Sequence, residues 1–220
     1  MIWFSWMLIC VLFAHVLSGS YGTSEEDDWQ LVFHAVKGNK QDVRAAWCKR
    51  SPRRCTPAVG CIPDGFDLDN WRDTRKHLRS PLIDQWRSLS ILKIRVVLGG
   101  QGKTLAYLEF DGSGSSFINW FSKSRLLHSS WYDLKPNSRT NFFSIAGHHA
   151  HVKRHFYINR NYGGCPKDAG WFVVIDKKDV CTWANKGVFP LFMYSKGSRL
   201  TNWNRNPGFA DVMNVYIQTV

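Results

Sequence analysis

Two clusters of residues could do chemistry. The segment "GHHAHVKRH" (147–155) carries His148, His149, His151 and His155, and histidines two apart in an extended stretch can share one metal ion. Lys153 and Arg154 lie in the same run, and their charge disfavours a cation. The expectation is a solvated hairpin loop without metal, with His148, His149 and His151 as the alternative ligands and a pH-responsive surface as a third reading. The second cluster is the cysteines. Cys165 sits in a turn, "NRNYGGCPKDAGWFVVID" (159–176), where it could react, bind metal or be tied down. A reactive thiol needs a poised base, and a zinc knuckle needs two more ligands at suitable spacing. Cys165 and Cys181 bracket one strand-like run, so loops folding over the same edge would bring them together; closing that loop contributes about 3 kcal/mol. A Cys165–Cys181 disulfide is therefore expected.

Other motifs resolve into structure. "GGQGKT" (99–104) resembles the end of a phosphate loop, but Val97 stands where the pattern needs glycine, and a strand-like "LAYLEF" follows in place of a helix. Glu109 and Asp111, two apart in a strand, share a face, whereas a glycosidase wants two acids from separated elements. There is no Gly-x-Ser-x-Gly elbow. No catalytic residue, and no cofactor, is expected.

The elements that would position these residues are mainly strands. "WQLVFHAV" (29–36) alternates as a half-buried strand does. In "ILKIRVVLGGQGKTLAYLEFDG", Leu92, Ile94, Val96 and Leu98 point one way, Lys93 and Arg95 the other, and the chain returns after "GGQG" as a β-hairpin. Further strands are predicted at "TNFFSIAG", "RHFYINR", "GWFVVID", "FPLFMYS" and "DVMNVYIQ", separated by Gly, Asn, Pro or Ser. The one predicted helix has Ser80 as cap, Pro81 in the first helical position, and Leu82, Trp86 and Leu89 on one side. The stretch from Val43 to Ser80 reads as an irregular, basic loop insert with three cysteines. The expected fold is mainly β: an antiparallel β-sandwich, jelly-roll-like, with one short helix and this insert.

The amino-terminal "MIWFSWMLICVLFAHVL" has no charged residue and is followed by the small-residue "SGSYG". Residues 1–22 read as a secretory signal peptide, and 23–220 as one extracellular β-sandwich domain. An uncleaved anchor is the alternative, although the run is short of the ~20 residues a spanning helix needs. Cys10 leaves with the signal, so five cysteines remain, an odd number for an oxidising compartment. One bridge is expected among Cys48, Cys55 and Cys61, with the third free or intermolecular. The formal charge of +12 survives cleavage, and four acids fall in the "EEDD" run at 25–28, leaving a still more basic body. That balance suits either a solvated surface or an anionic partner; nucleic acid is not expected for a secreted chain, nor a membrane once the signal is gone. Trp120, Trp131 and Trp203 lie in polar, loop-like settings. They are either ligand-stacking residues, with Lys153 and Arg154 as charged companions, or rings that close the ends of the sandwich.

"LEFDGSGSSFINWFSKSRLLHSSWYDL", "FFSIAGH", "NYGGCPKDAGW" with the following "CTW", "PLFMYSK" and "ADVMNVYIQ" resemble a module of uncharacterised secreted proteins from marine invertebrates (corals, molluscs and lancelets), including some coral skeletal organic matrix proteins. The similarity spans about residues 29–218, and the three-cysteine insert departs from it. The resemblance implies secretion and carries no activity or site residue. The resulting expectation is a secreted, extracellular, non-catalytic recognition or matrix protein that binds an acidic glycan or matrix component. The alternatives are a defence or venom-type protein acting at membranes and a hydrolase of unrecognised type.

Overall fold

Residues 29–68 and 75–220 are described by a computed structural model; the expected signal peptide lies outside them. Alternating apolar residues build twelve strands: β1 (Gln30–Val36), β2 (Leu78–Arg79), β3 (Ile91–Gly100), β4 (Lys103–Asp111), β5 (Leu126–Ser129), β6 (Phe142–Ser144), β7 (Arg154–Asn161), β8 (Ala169–Ile175), β9 (Leu191–Ser195), β10 (Thr201–Asn202), β11 (Pro207–Ala210) and β12 (Val212–Thr219). They form two antiparallel six-stranded sheets. One runs β2-β1-β12-β3-β4-β5; the other runs β11-β9-β8-β7-β6, with β10 paired to β8. Hairpin connections dominate within each sheet, and β12 inserts between β1 and β3, joining the two ends of the described chain. The fold is thus mainly β and sandwich-like.

The β3–β4 hairpin turns at Gln101 and Gly102, both with positive φ (53° and 70°). Two such residues make the mirror-image turn whose twist matches its flanking strands. The "GGQGKT" segment is therefore a turn.

Two apolar clusters explain why the second sheet reads as nearly continuous hydrophobic sequence. Phe172 and Val174 of β8 and Phe192 of β9 face the other sheet, where they join Ile94, Val96, Phe110 and Val215. The intervening Val173, Ile175, Leu191 and Met193 face outward, yet are buried beneath Trp183, Trp203 and Cys181. A sheet covered on both faces cannot show the polar alternation of a half-exposed one.

The segment read as an irregular insert contains an α-helix, α1 (Val43–Cys48). Asp42 caps it by accepting from Ala45 N at 2.7 Å, and its buried Val43 and Trp47 reach the core. One turn and a half offers too few periods to read from sequence. The predicted helix at Ser80 is a 3₁₀ helix, Pro81–Ser88, with Ser80 Oγ accepting from Leu82 N. It buries Ile83 and Trp86, with Leu82 and Leu89 half-buried at its flanks.

The three loop tryptophans are corrected by the fold. Trp120, Trp131 and Trp203 are 0%, 2% and 1% exposed, so none can stack on a surface ligand. Trp120 packs among Trp47, Trp86, Phe110, Phe121 and Phe156 with ring centroids 5.4–6.5 Å apart. Trp131 Nε1–H donates to Ser195 O at 2.9 Å and Trp203 Nε1–H to Asn159 Oδ1 at 3.2 Å. Trp131 and Trp203 thus reach acceptors far off in sequence, while Trp120 Nε1 is buried with no partner among the described residues. Trp120→Ala is expected to lower the unfolding free energy by about 3–5 kcal/mol, read from urea denaturation; a change under about 1 kcal/mol would contradict a core role.

Candidate functional site

The expected disulfide is present: Cys165 is bonded to Cys181, and Cys55 to Cys61. Cys48 is free and exposed. Burial outweighs the pull of Arg44 and Arg79 and raises the pKa of its thiol, so it lacks the thiolate character of a catalytic cysteine.

Next to the Cys165–Cys181 bridge, Arg154 is 1% exposed. Its Nε and Nη2 donate to the two oxygens of Asp179 at 2.8 Å, and Nη1 donates to Asp168 at 2.9 Å. The guanidinium also lies 4.4 Å from the centre of the Trp183 ring. Burial opposes its charge, but the hydrogen bonds it donates to Asp179 prevail and hold the pKa above the ordinary arginine value. Arg154 is therefore a clamp on the outer layer and not the surface cation expected from sequence. The sequence could not show this, because Asp168 and Asp179 lie 14 and 25 residues away.

The histidine loop divides. His148 Nε2 lies 3.2 Å from Tyr162 Oη, with the two rings stacked, and His151 sits beside His148 with ring centroids 6.0 Å apart. His149 turns the other way: its Nδ1 is 2.9 Å from Nε2 of buried His155. His155 Nδ1–H donates to Asp176 Oδ2 at 2.5 Å. Asp176 also accepts from the first two amides of α1, Val43 N at 2.8 Å and Arg44 N at 3.3 Å. Burial raises the Asp176 pKa, while its bond to His155 pulls the other way. The ligand atoms of Asp42, His155 and Asp176 lie within 4.8 Å of one another. Gly147, at φ 53°, lets this loop close on β7, since a Cβ there would sit 2.1 Å from Arg154 O. Among the described residues no serine, threonine or cysteine side chain hydrogen-bonds to His149 or His155. The nucleophile–base contact of a hydrolytic triad is not formed there.

The opposite end of α1 borders a hollow of about 400 Å³ between the helix and the Cys55–Cys61 segment. Lys49, Arg50 and Lys76 line it, with Arg79 and His77 at its base and Asp42 its single acid. Lys49 and Arg50 are exposed and, among the described residues, pair with no carboxylate. Lys76 Nζ–H donates to Ala58 O. Arg79 is buried, donating to Trp47 O at 2.7 Å and to Asp84 at 2.9 Å. His77 is buried as a neutral ring: Nδ1 accepts from Val36 N and Asn39 Nδ2, each at 3.1 Å, so Nε2 carries the proton donated to Gln41 O. Burial, reinforced by the nearby His34, lowers its pKa to about 4. The basic residues were visible as "CKRSPRRC"; the wall they share with α1 was not.

Comparison of the chain with family models, with curated proteins and with solved structures finds no match. Among the described residues no helix is long and apolar enough to cross a membrane.

Above pH 6.5 His77 is neutral in both folded and unfolded chains. Between pH 6.5 and about 4 the unfolded chain takes up a proton that the folded ring refuses, so stability falls as pH falls. The loss should approach about 3 kcal/mol, on the scale of 1.36 kcal/mol per pH unit. Urea midpoints from pH 7 to 4.5 should drop less steeply in His77→Gln than in the parent; equal slopes would exclude His77 as the cause. Among the described residues, alkylation of the folded protein should label one thiol, Cys48, and a labelled Cys165 would contradict the bridge.

Proposed function

We propose that this is a secreted, non-catalytic recognition or extracellular-matrix protein that binds an acidic glycan in the basic groove beside α1. The observation that carries the reading is the cluster of Lys49, Arg50 and Lys76 around one hollow with a single carboxylate in its lining. Arg53 and Arg54 stand exposed on the adjoining stapled segment. Cations on a preorganised wall attract a polyanion without paying for the ordering of a flexible loop. The Cys55–Cys61 bridge and the Asp42-capped helix supply that preorganisation. Two disulfides, the uncharged amino-terminal run and the resemblance to a secreted invertebrate module support an extracellular setting. Sulfate or carboxylate groups on a sugar chain fit the groove better than a flat membrane does, because a concave wall admits a single polymer strand.

The full secreted protein should be retained on heparin resin at low ionic strength and elute as salt screens the contact. The triple variant Lys49→Ala, Arg50→Ala, Lys76→Ala should elute at a sodium chloride concentration lower by about 0.1–0.2 M, since each lost contact flattens the salt dependence. Lys103→Ala, on the exposed β3–β4 turn, should elute unchanged. Flow-through of the parent, or equal elution of the groove variant, would overturn the reading.

A further inference from the structure

The cluster at the amino-terminal end of α1 shares Asp42 with the groove's lining but none of its cations. We infer that His149, His155 and Asp42 form a binding site for a divalent transition cation of the zinc class, with Asp176 holding His155 in place. A metal-ligating histidine typically gives its second ring N–H to a carboxylate, which sets the tautomer and aims the other nitrogen at the ion. His155 is arranged in this way: Nδ1–H is committed to Asp176, and Nε2 is directed at His149 Nδ1, 2.9 Å away. Two imidazole nitrogens on one zinc ion, each about 2.0–2.1 Å from it, stand somewhat farther apart than this. His149 is exposed on its loop and free to open by that margin.

Asp42 supplies the oxygen ligand. Its Oδ1 caps Ala45 N, and among the described residues its second oxygen has no hydrogen bond. Its carboxylate lies within 4.8 Å of the ligand atoms of both His155 and Asp176, a group that His149 joins only through its contact with His155. Asp42 and Asp176 also line a surface hollow of about 580 Å³, which opens the carboxylate side of the cluster. Imidazole and carboxylate donors together suit zinc, nickel or copper better than calcium or magnesium.

The charge objection raised by the sequence weakens in three dimensions. Arg154 is turned away into its pairs with Asp168 and Asp179. Lys153 Nζ lies 3.4 Å from His149 Nε2 and donates to His149 O at 2.9 Å, on the side of the ring away from the His155 contact. Arg44 is also near, and Lys40, Lys177 and Lys178 rim the hollow. His155 itself sits on a β-bulge of β7, beside Phe156 with φ 42°. That irregularity lets His155 meet Asp176 while Phe156 enters the core.

The test uses the full secreted protein in a Cys48→Ser background, stripped with chelator and titrated with zinc by calorimetry. Cobalt absorption provides a second readout. The parent should bind one zinc per chain with a dissociation constant in the micromolar range or tighter. His149→Ala and Asp42→Asn should each weaken binding by about tenfold or more, while His148→Ala with His151→Ala leaves it unchanged. His149 is exposed and asparagine also caps helices, so both single variants should fold, as far-ultraviolet circular dichroism will verify. No zinc binding by the parent, full binding by either single variant, or loss in the His148/His151 variant would overturn the inference.

Discussion

The carboxylate of Asp176, at the end of the strand β8 and shut away from water, is the contact on which the rest of this surface depends. It accepts from the first two amides of α1 and from His155 on the neighbouring strand. A buried charge with three donors is held in place, because leaving any donor unmatched costs more than the bond itself contributes. Through this one group the second sheet fixes the amino-terminal end of α1, and the helix in turn carries Lys49 and Arg50 beyond its far end. The basic groove and the histidine–aspartate cluster therefore lie along one short element and share Asp42; that element is held at its start by Asp176 and near its far end by Trp47 and Arg79.

A second buried charge does the same for the outer layer. The pocket over Val173 and Met193 is closed by Trp183 and Trp203, stacked with ring centroids 5.8 Å apart. Trp203 follows the two-residue strand β10, and Trp183 lies in a single 3₁₀ turn. Arg154, with both its carboxylate partners and the Trp183 face, ties them to β7, and the Cys165–Cys181 bond closes the same edge. Removing either aspartate would strand a buried guanidinium, which is far more costly than losing an exposed ion pair. The clamp protects a hydrophobic layer and leaves the molecule's free positive charge to residues elsewhere, notably Lys49, Arg50, Arg53 and Arg54.

The distribution of charge thus separates two roles that look alike in composition. Buried Arg79 and Arg154 are structural, each saturated by backbone or carboxylate acceptors. Exposed cations are spread over the surface, and Lys49, Arg50, Arg53 and Arg54 are those that stand together on the stapled segment beside α1. Only the second group is able to answer a polyanion, and its strength will follow ionic strength as exposed charge does.

The sequence by itself determined the strand-rich, two-sheet character. Alternation in β1, β3 and β4 and apolar runs in β7, β8 and β9 are local signals, set by which neighbours along the chain share a face. The positive-φ turn at Gln101–Gly102, the Ser80–Pro81 helix start and the Cys165–Cys181 pairing were legible for the same reason: each depends on a few adjacent residues or one intervening strand. Tertiary structure alone decided which tryptophans are buried, that Arg154 serves the interior, and that His149 meets His155, itself bonded to Asp176, while His148 turns to Tyr162. It also decided which cysteine of three stays free and that a six-residue helix forms inside a basic, proline-containing stretch. Those outcomes depend on partners that are mostly far away in sequence, brought together only when the sheets stack and burial favours polar groups that are matched.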